Sequence, residues 1–219
     1  MKQVMTSQLK VVQGGKAPAK PGGVRKENAR KRRQALAEVV MQLVKERGFH
    51  AISVNEVAER ASLSVGGLYR HIDTKNDLLE MVCDEINLDL LRDMKAAAAS
   101  VRGVRAKLEG AIRTYWLRHW NNAALILLAY REYQSFSDDA KARYRADELA
   151  ISEYLSDLIR AGVLTEEFRE VDDRLLAHEI IMLSHMRALK GYAFKGRTPE
   201  HCLQEMVDLI FSRLGGGRA

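Results

Sequence analysis

The sequence predicts an all-α protein, with a three-helix N-terminal unit of helix-turn-helix spacing followed by a larger helical domain. Three observations carry this. Apolar residues recur at spacings of three and four from about residue 27 onward, no alternating strand pattern interrupts them, and Ser, Thr or Asp residues at cap positions punctuate the runs. Hydrophobic residues make up 47% of the chain and charged residues 29%, a balance that buries a core rather than leaving the chain disordered.

Residues 1–25 lack periodicity and contain Gly14, Gly15, Pro18, Pro21, Gly22, Gly23 and several cations, which reads as a flexible basic arm. The first helix is expected over 27–47, carried by Ala35, Leu36, Val39, Val40, Leu43 and Val44, with Gly48 at its C-cap. Ser53-Val54-Asn55-Glu56 has the form of a capping box opening a short helix to Ala61. Ser62-Leu63 makes the turn, with Leu63 plugging it, and Ser64 caps a third helix from Val65 to His71 anchored by Leu68 and Ile72. Thr74-Lys75-Asn76-Asp77, a second capping box, opens a long helix to about Ser100. Helices follow over about 103–120, 122–135, 138–162, 172–194 and 199–214, separated at Ser137, Gly162, Asp172 and Thr198-Pro199. The chain thus divides into an arm (1–25), a helix-turn-helix unit (26–76) and a larger domain (77–219).

Charge separates these parts. Residues 1–76 hold 15 Lys and Arg against 6 Asp and Glu, whereas residues 77–219 hold 20 against 23. Clustered cations neutralise phosphates, so the basic end is the one expected to meet double-stranded DNA. No run of about 18 apolar residues exists, and Ala123–Tyr130 is too short to span a bilayer, so no membrane partner is expected. With no apolar signal region at the N-terminus, the protein is read as cytoplasmic, with Cys83 and Cys202 as thiols. His178, Glu179 and His185 share a helix but form no His-Glu-x-x-His motif, and neither a phosphate loop nor a Gly-x-Ser-x-Gly elbow is present. No metal, cofactor or enzymatic activity is expected.

In the helix-turn-helix unit, Val57, Ala58 and Ala61 are placed inward, leaving Val65, Gly66, Gly67 and Arg70 to face outward toward a DNA major groove. Gly48-Phe49, the run Ser53 to Ala61, and Val65-Gly66-Gly67-Leu68-Tyr69-Arg70-His71 followed by Lys75 closely resemble the N-terminal domain of the tetracycline-repressor (TetR) family. The resemblance covers about residues 27–80. It implies that Tyr69 and His71 contact phosphates and that Lys75 is the cation opening the fourth helix, with Ser53 and Ser64 as further phosphate candidates. Arg70 is the base-edge candidate, because a guanidinium pairs in bidentate fashion with guanine. Arg32 and Arg33, in the run Arg30–Arg33, read as phosphate or minor-groove contacts or, alternatively, as a solvated helix face. Two positions depart from the family pattern: Ile72 replaces a common aromatic, and Gly67 stands where Ser, Thr or Ala is frequent.

One recognition helix reads a short address, so a homodimer on a palindromic operator is expected. Leu175, Met182 and Leu189 repeat every seven residues, and Leu203, Met206, Val207, Ile210 and Leu214 form a stripe. Both are read as dimer interface, with packing inside one subunit as the alternative. The family resemblance implies an effector pocket among the middle helices. Trp116, His119, Trp120, Tyr130, Arg131 and Tyr133 are its candidates, with His119 and Arg131 meeting an anionic head group; plain core is the alternative for the aromatics, and surface exposure is the alternative for His119 and Arg131. Tyr130-Arg131-Glu132-Tyr133 and the helix over 138–162 loosely resemble acyl-CoA-responsive members, implying an acyl-CoA or other large apolar acid. An unrelated aromatic or apolar compound is the rival. The expected function is a ligand-released repressor; the alternative is a nonspecific architectural DNA-binding protein.

Overall fold

The computed structural model describes residues 21–215, with side chains from Arg30 onward. Residues 1–20, most of the expected arm, lie outside the described residues. Residues 21–25 are a correction, because α1 spans Pro21–Arg47. Proline is well tolerated in a first turn, where its missing N–H would be unpaired in any case. Gly48, with φ 79°, ends α1 as expected.

Ser53 caps α2 (Val54–Arg60), its hydroxyl accepting from the Glu56 N–H at 3.2 Å. The other half of the expected box is not made: Glu56 pairs instead with Arg47 at the end of α1. Arg60 reaches back to Glu46 through two hydrogen bonds of 3.0 and 2.9 Å, fixing α2 against α1. The turn after α2 is a Schellman motif, with Ser62 at φ 55° and bonds from Ser62 N–H to the Glu59 carbonyl and from Leu63 N–H to the Ala58 carbonyl. Leu63 does not plug this turn; the motif carries its side chain outward, and it is 37% exposed.

Ser64 caps α3, accepting from the Gly67 N–H at 3.0 Å, but α3 spans only Val65–Leu68. Two adjacent glycines each weaken a helix by about 1 kcal/mol relative to alanine, so the expected extension to His71 becomes a turn. Asp77 accepts from the N–H groups of Asp73 and Thr74 and from the Thr74 hydroxyl, at 2.7 to 3.0 Å, which sets the start of α4 (Lys75–Asn87).

The long helix expected to reach Ser100 is broken. The chain turns at Leu88-Asp89, where Asp89 has φ 60°, and resumes as α5 (Leu90–Ala99). Asp tolerates the left-handed region better than most residues, and Arg118 takes up the freed Ile86 carbonyl at 3.2 Å while pairing with Asp93 at 3.0 Å. Next come α6 (Val104–Asn121), α7 (Ala123–Glu132) with a 3-10 turn over Tyr133–Ser135, and α8 (Asp138–Leu164) capped by Ser137. The helix expected over 172–194 is α9 (Asp173–Ser184), α10 (Met186–Lys190) and a 3-10 turn, with His185 at the break. The chain closes with α11 (Pro199–Leu214), capped by Thr198.

The helices enclose two apolar cores. The first joins α1 to α4 with one face of α7, through Leu43, Val57, Leu68, Leu79 and Leu125 among others. The second lies between α5, α6, α8, α9 and α11 around Leu108, Leu155, Ile180 and Ile210. Residue 76 is therefore not a packing boundary: α4 and α7 belong to the core that holds the helix-turn-helix. No strand occurs among the described residues, and no helix there is long and apolar enough to cross a membrane.

Candidate functional site

The short α3 and the turn after it present a polar, basic surface. Val65, Gly66, Tyr69, Arg70 and His71 are exposed, and Tyr69 closes α3 as its C-cap. Tyr69, Arg70, His71, Arg33 and Arg143 share one shallow depression with Asp73 and Asp77. Ser53 and Ser64 are occupied as helix caps. Lys75 is half-buried, its ammonium 3.3 Å from the His50 carbonyl and 4.9 Å above the Phe49 ring, so in this structure it braces the start of α4.

Gly67 is a correction. The sequence pattern puts it on the outward face, but it is buried, and an added Cβ would lie 3.0 Å from the Ser64 hydroxyl. The cap bond from Gly67 N–H to Ser64 draws this residue inward. Gly66 is the open glycine, with nothing within 4 Å of an added Cβ. Arg33 pairs with Asp84 at 2.9 Å, whereas Arg32 is exposed.

A second candidate site lies in the larger domain. A groove of about 460 Å³ is lined by Ala129, Tyr130 and Tyr133 from α7 and its end, by Tyr144, Arg145 and Glu148 from α8, and by Leu149 and Met182. Behind it runs a buried polar chain. The Tyr130 hydroxyl lies 2.8 Å from His185 Nδ1, and His185 Nε2 lies 2.9 Å from the Tyr115 hydroxyl. His119 stacks on Tyr115 with ring centres 4.0 Å apart, and its Nδ1 lies 2.8 Å from the Tyr115 carbonyl. Burial pushes His119 down to about 4, against the hydrogen bond to Tyr115. His185 is pushed down to about 3 by burial and by the neighbouring His119. Both imidazoles are therefore neutral at pH 7.

Of the six residues expected at an effector site, Tyr130 and Tyr133 line this groove, and His119 stands behind His185, with ring centres 4.6 Å apart. Three lie elsewhere. Trp116 and Trp120 stack on each other at 4.4 Å within the second core, and Trp120 carries Arg187 over its ring at 4.5 Å. Arg131 is exposed and borders a different hollow against Phe49 and His50. Helical spacing put these side chains in one stretch of sequence, but α7 starts in a new direction after Asn122, which separates them. His119 cannot supply a cation when neutral, and the groove's cation is Arg145. Tyr144, Arg145 and Glu148 were missed; their spacing of three and four on α8 was the available signal.

The interface stripes also divide. Leu175, Met182 and Leu189 are 51%, 49% and 39% exposed, an open apolar stripe along α9 and α10. Leu203, Met206, Val207, Ile210 and Leu214 are a correction: all five are buried in the second core of the single chain, where α11 packs against α6. Periodicity shows that a stripe is covered without showing by what. Leu209, flanking this buried stripe, is the exposed large apolar residue of α11.

A model of bacterial regulatory proteins of the tetR family matches residues 38–82, and a tetracyclin repressor-like C-terminal domain model matches residues 102–214. The chain belongs to the TetR family. The transcriptional regulator HbdR of Aromatoleum sp. (strain CIB) is 25% identical over 170 residues, covering 76% of this chain and 72% of that protein. The transcriptional repressor KstR2 of Rhodococcus jostii is 24% identical over 162 residues, covering 74% and 79%. Among solved structures, AibR in complex with isovaleryl coenzyme A and operator DNA shares the fold at a TM-score of 0.66 and 20% identity, over 82% of this chain and 98% of that one. As a TetR-family protein, this chain is a transcriptional regulator whose helix-turn-helix is its DNA-binding unit.

Proposed function

We propose that the protein is a repressor that holds a palindromic operator as a homodimer and releases it when an apolar acyl effector enters the groove beside Tyr130. One observation carries this reading: α8 forms a wall of the groove and is also tied to the helix-turn-helix core. Glu80 of α4 accepts from the Ser137 N–H at 2.6 Å and its hydroxyl at 3.1 Å, at the cap of α8. Arg143, one residue before the groove's Tyr144, pairs with Asp84 of α4, which also holds Arg33 of α1. A ligand that displaces α8 acts directly on the helices that carry α2 and α3. Regulation follows when the ligand-bound dimer no longer matches half-sites about 34 Å apart.

The groove's size suits the acyl end of a larger ligand, with apolar Ala129, Leu149 and Met182 for an acyl chain and Arg145 for an anionic or strongly polar group next to it. The AibR complex with isovaleryl coenzyme A supports a thioester as the first choice. The edge-on rings of Tyr133 and Tyr144, 5.7 Å apart, favour an aromatic compound as the second. For dimerisation we propose the exposed stripe of Leu175, Met182 and Leu189, with Leu209 beside it. Of the basic surface, we assign phosphate contacts to Tyr69, His71 and Arg32, and base reading to Arg70 with Val65 and Gly66.

Calorimetry with a series of acyl-CoA thioesters, paired with gel shifts on the DNA upstream of the protein's own gene, tests this. Binding of one thioester at micromolar concentration with release of the DNA is the expected result. Binding without release would refute the coupling through α8, and no binding would refute the acyl effector.

A further inference from the structure

The direction of the hydrogen bonds behind the groove is fixed by burial. A neutral imidazole has one N–H and one bare nitrogen, so His185 can donate to only one of its two tyrosines and must accept from the other. The Tyr115 hydroxyl is buried and, among the described residues, has no partner other than His185 Nε2. If Nε2 carried the proton, the Tyr115 O–H would be left without an acceptor inside the core, the costly outcome for a buried donor. The Tyr115 hydroxyl therefore donates to Nε2, and the His185 proton sits on Nδ1, where it donates to the Tyr130 oxygen. His119 has its own acceptor in the Tyr115 carbonyl and does not compete.

This leaves the Tyr130 hydroxyl proton unused by the core. It faces the groove, where its partner among the described residues is the Met182 sulfur at 3.7 Å, a weak acceptor. The oxygen that carries it already accepts a bond from His185, which polarises the hydroxyl further toward donation.

We infer that the groove selects its effector by a hydrogen-bond acceptor, such as a thioester or ketone carbonyl or a carboxylate oxygen, held by Tyr130 acting as donor. The inference rests on the reading of this groove as the effector site. Tyr130 is the specificity residue; His185 and Tyr115 are positioning residues that set which way its hydroxyl points. A ligand offering only a donor at this position finds no acceptor, because the Tyr130 oxygen is engaged by Nδ1.

Two measurements test it separately. The first needs no ligand: a long-range proton–nitrogen correlation spectrum of the nitrogen-labelled full chain at pH 7, with His185 assigned by its loss in His185→Gln. A proton on Nδ1 and a bare Nε2 are expected, in the wild type and in Tyr130→Phe, whose intact spectrum also reports folding. A proton on Nε2 overturns the inference. The second is calorimetry with octanoyl-CoA and with S-octyl-CoA, a thioether that lacks the carbonyl. The wild type is expected to bind the thioester at least tenfold more tightly, and Tyr130→Phe to bind the two alike. Equal binding by the wild type, or a preference retained in Tyr130→Phe, overturns it. Failure of both to bind counts against the acyl occupant proposed above, while the His185 tautomer still decides the donor assignment.

Discussion

Arg33 of α1 and Asp84 of α4 form an ion pair of 2.9 Å, and the same carboxylate receives Arg143 of α8 at 3.4 Å. All three side chains are partly exposed, so the pairs contribute at most about 1 kcal/mol each to stability. Their importance is positional, since one carboxylate joins the DNA-binding helices to the wall of the groove. Arg33 is thereby partly neutralised, whereas Arg32 has no ion pair among the described residues.

Removing these two cations should therefore have unequal effects. Arg32→Ala is expected to lower the salt dependence of operator binding by about one unit of log–log slope, the value for one lost phosphate contact. Arg33→Ala should lower it by clearly less. Equal slopes in filter binding across a salt series would show that the Asp84 pair does not hold Arg33 back from DNA.

Adjacent glycines in α3 should respond in opposite ways. Gly66→Ala adds a methyl in open space on a helix and is expected to stabilise the protein by up to about 1 kcal/mol in urea unfolding. Gly67→Ala forces a Cβ to within 3.0 Å of the Ser64 hydroxyl and strains the cap, so it should be neutral or destabilising. If Gly66 lies against DNA, the stabilised Gly66→Ala protein will still bind its operator more weakly.

Gly162 on α8 is in contact with the Phe168 ring, where an added Cβ would fall 2.0 Å from the ring edge. Phe168 is buried against Phe211 in the second core. Gly162→Ala should cost about 1–3 kcal/mol through overpacking, and Phe168→Ala about 3–5 kcal/mol through the cavity it leaves. Denaturant unfolding of the double variant should show much less than the sum, because the added methyl then has space.

Acid should destabilise the protein early. His119 and His185 are neutral and buried, with values near 4 and 3 in the folded chain against 6.5 when exposed. Between these limits the unfolded chain binds more protons, so stability falls as pH drops below 6.5 and continues to fall to about 4 and 3. Each group contributes a slope of up to about 1.4 kcal/mol per pH unit. Urea unfolding at pH 7, 6 and 5 should show this loss, and His185→Gln should remove a large part of it. A flat profile over that range would contradict the buried neutral pair.

Much of this architecture could be read from the sequence, and the failures have physical causes. Ser53, Ser64, Ser137, Asp172 and Thr198 marked their helix starts correctly, because each side chain satisfies a backbone donor within three residues and needs no distant partner. The breaks at Asp89 and His185 were missed because their compensation is tertiary: Arg118 captures a carbonyl from another helix, and His185 is held by Tyr115 and Tyr130. For the same reason the α11 stripe reads as dimer interface in the sequence, while in the fold it is covered by α6 and its neighbours. The groove was only half visible, since Tyr130 and Tyr133 stood in an aromatic-rich stretch but Tyr144, Arg145 and Glu148 meet them across the fold.

Footprinting of the DNA upstream of the protein's own gene, with wild type and Arg70→Ala compared, decides whether the helix-turn-helix reads a palindromic operator. Protection of a palindrome with half-sites one helical turn apart, about 34 Å, is expected, with a relaxed sequence preference but retained binding in Arg70→Ala. Uniform protection without sequence preference by the wild type would contradict it.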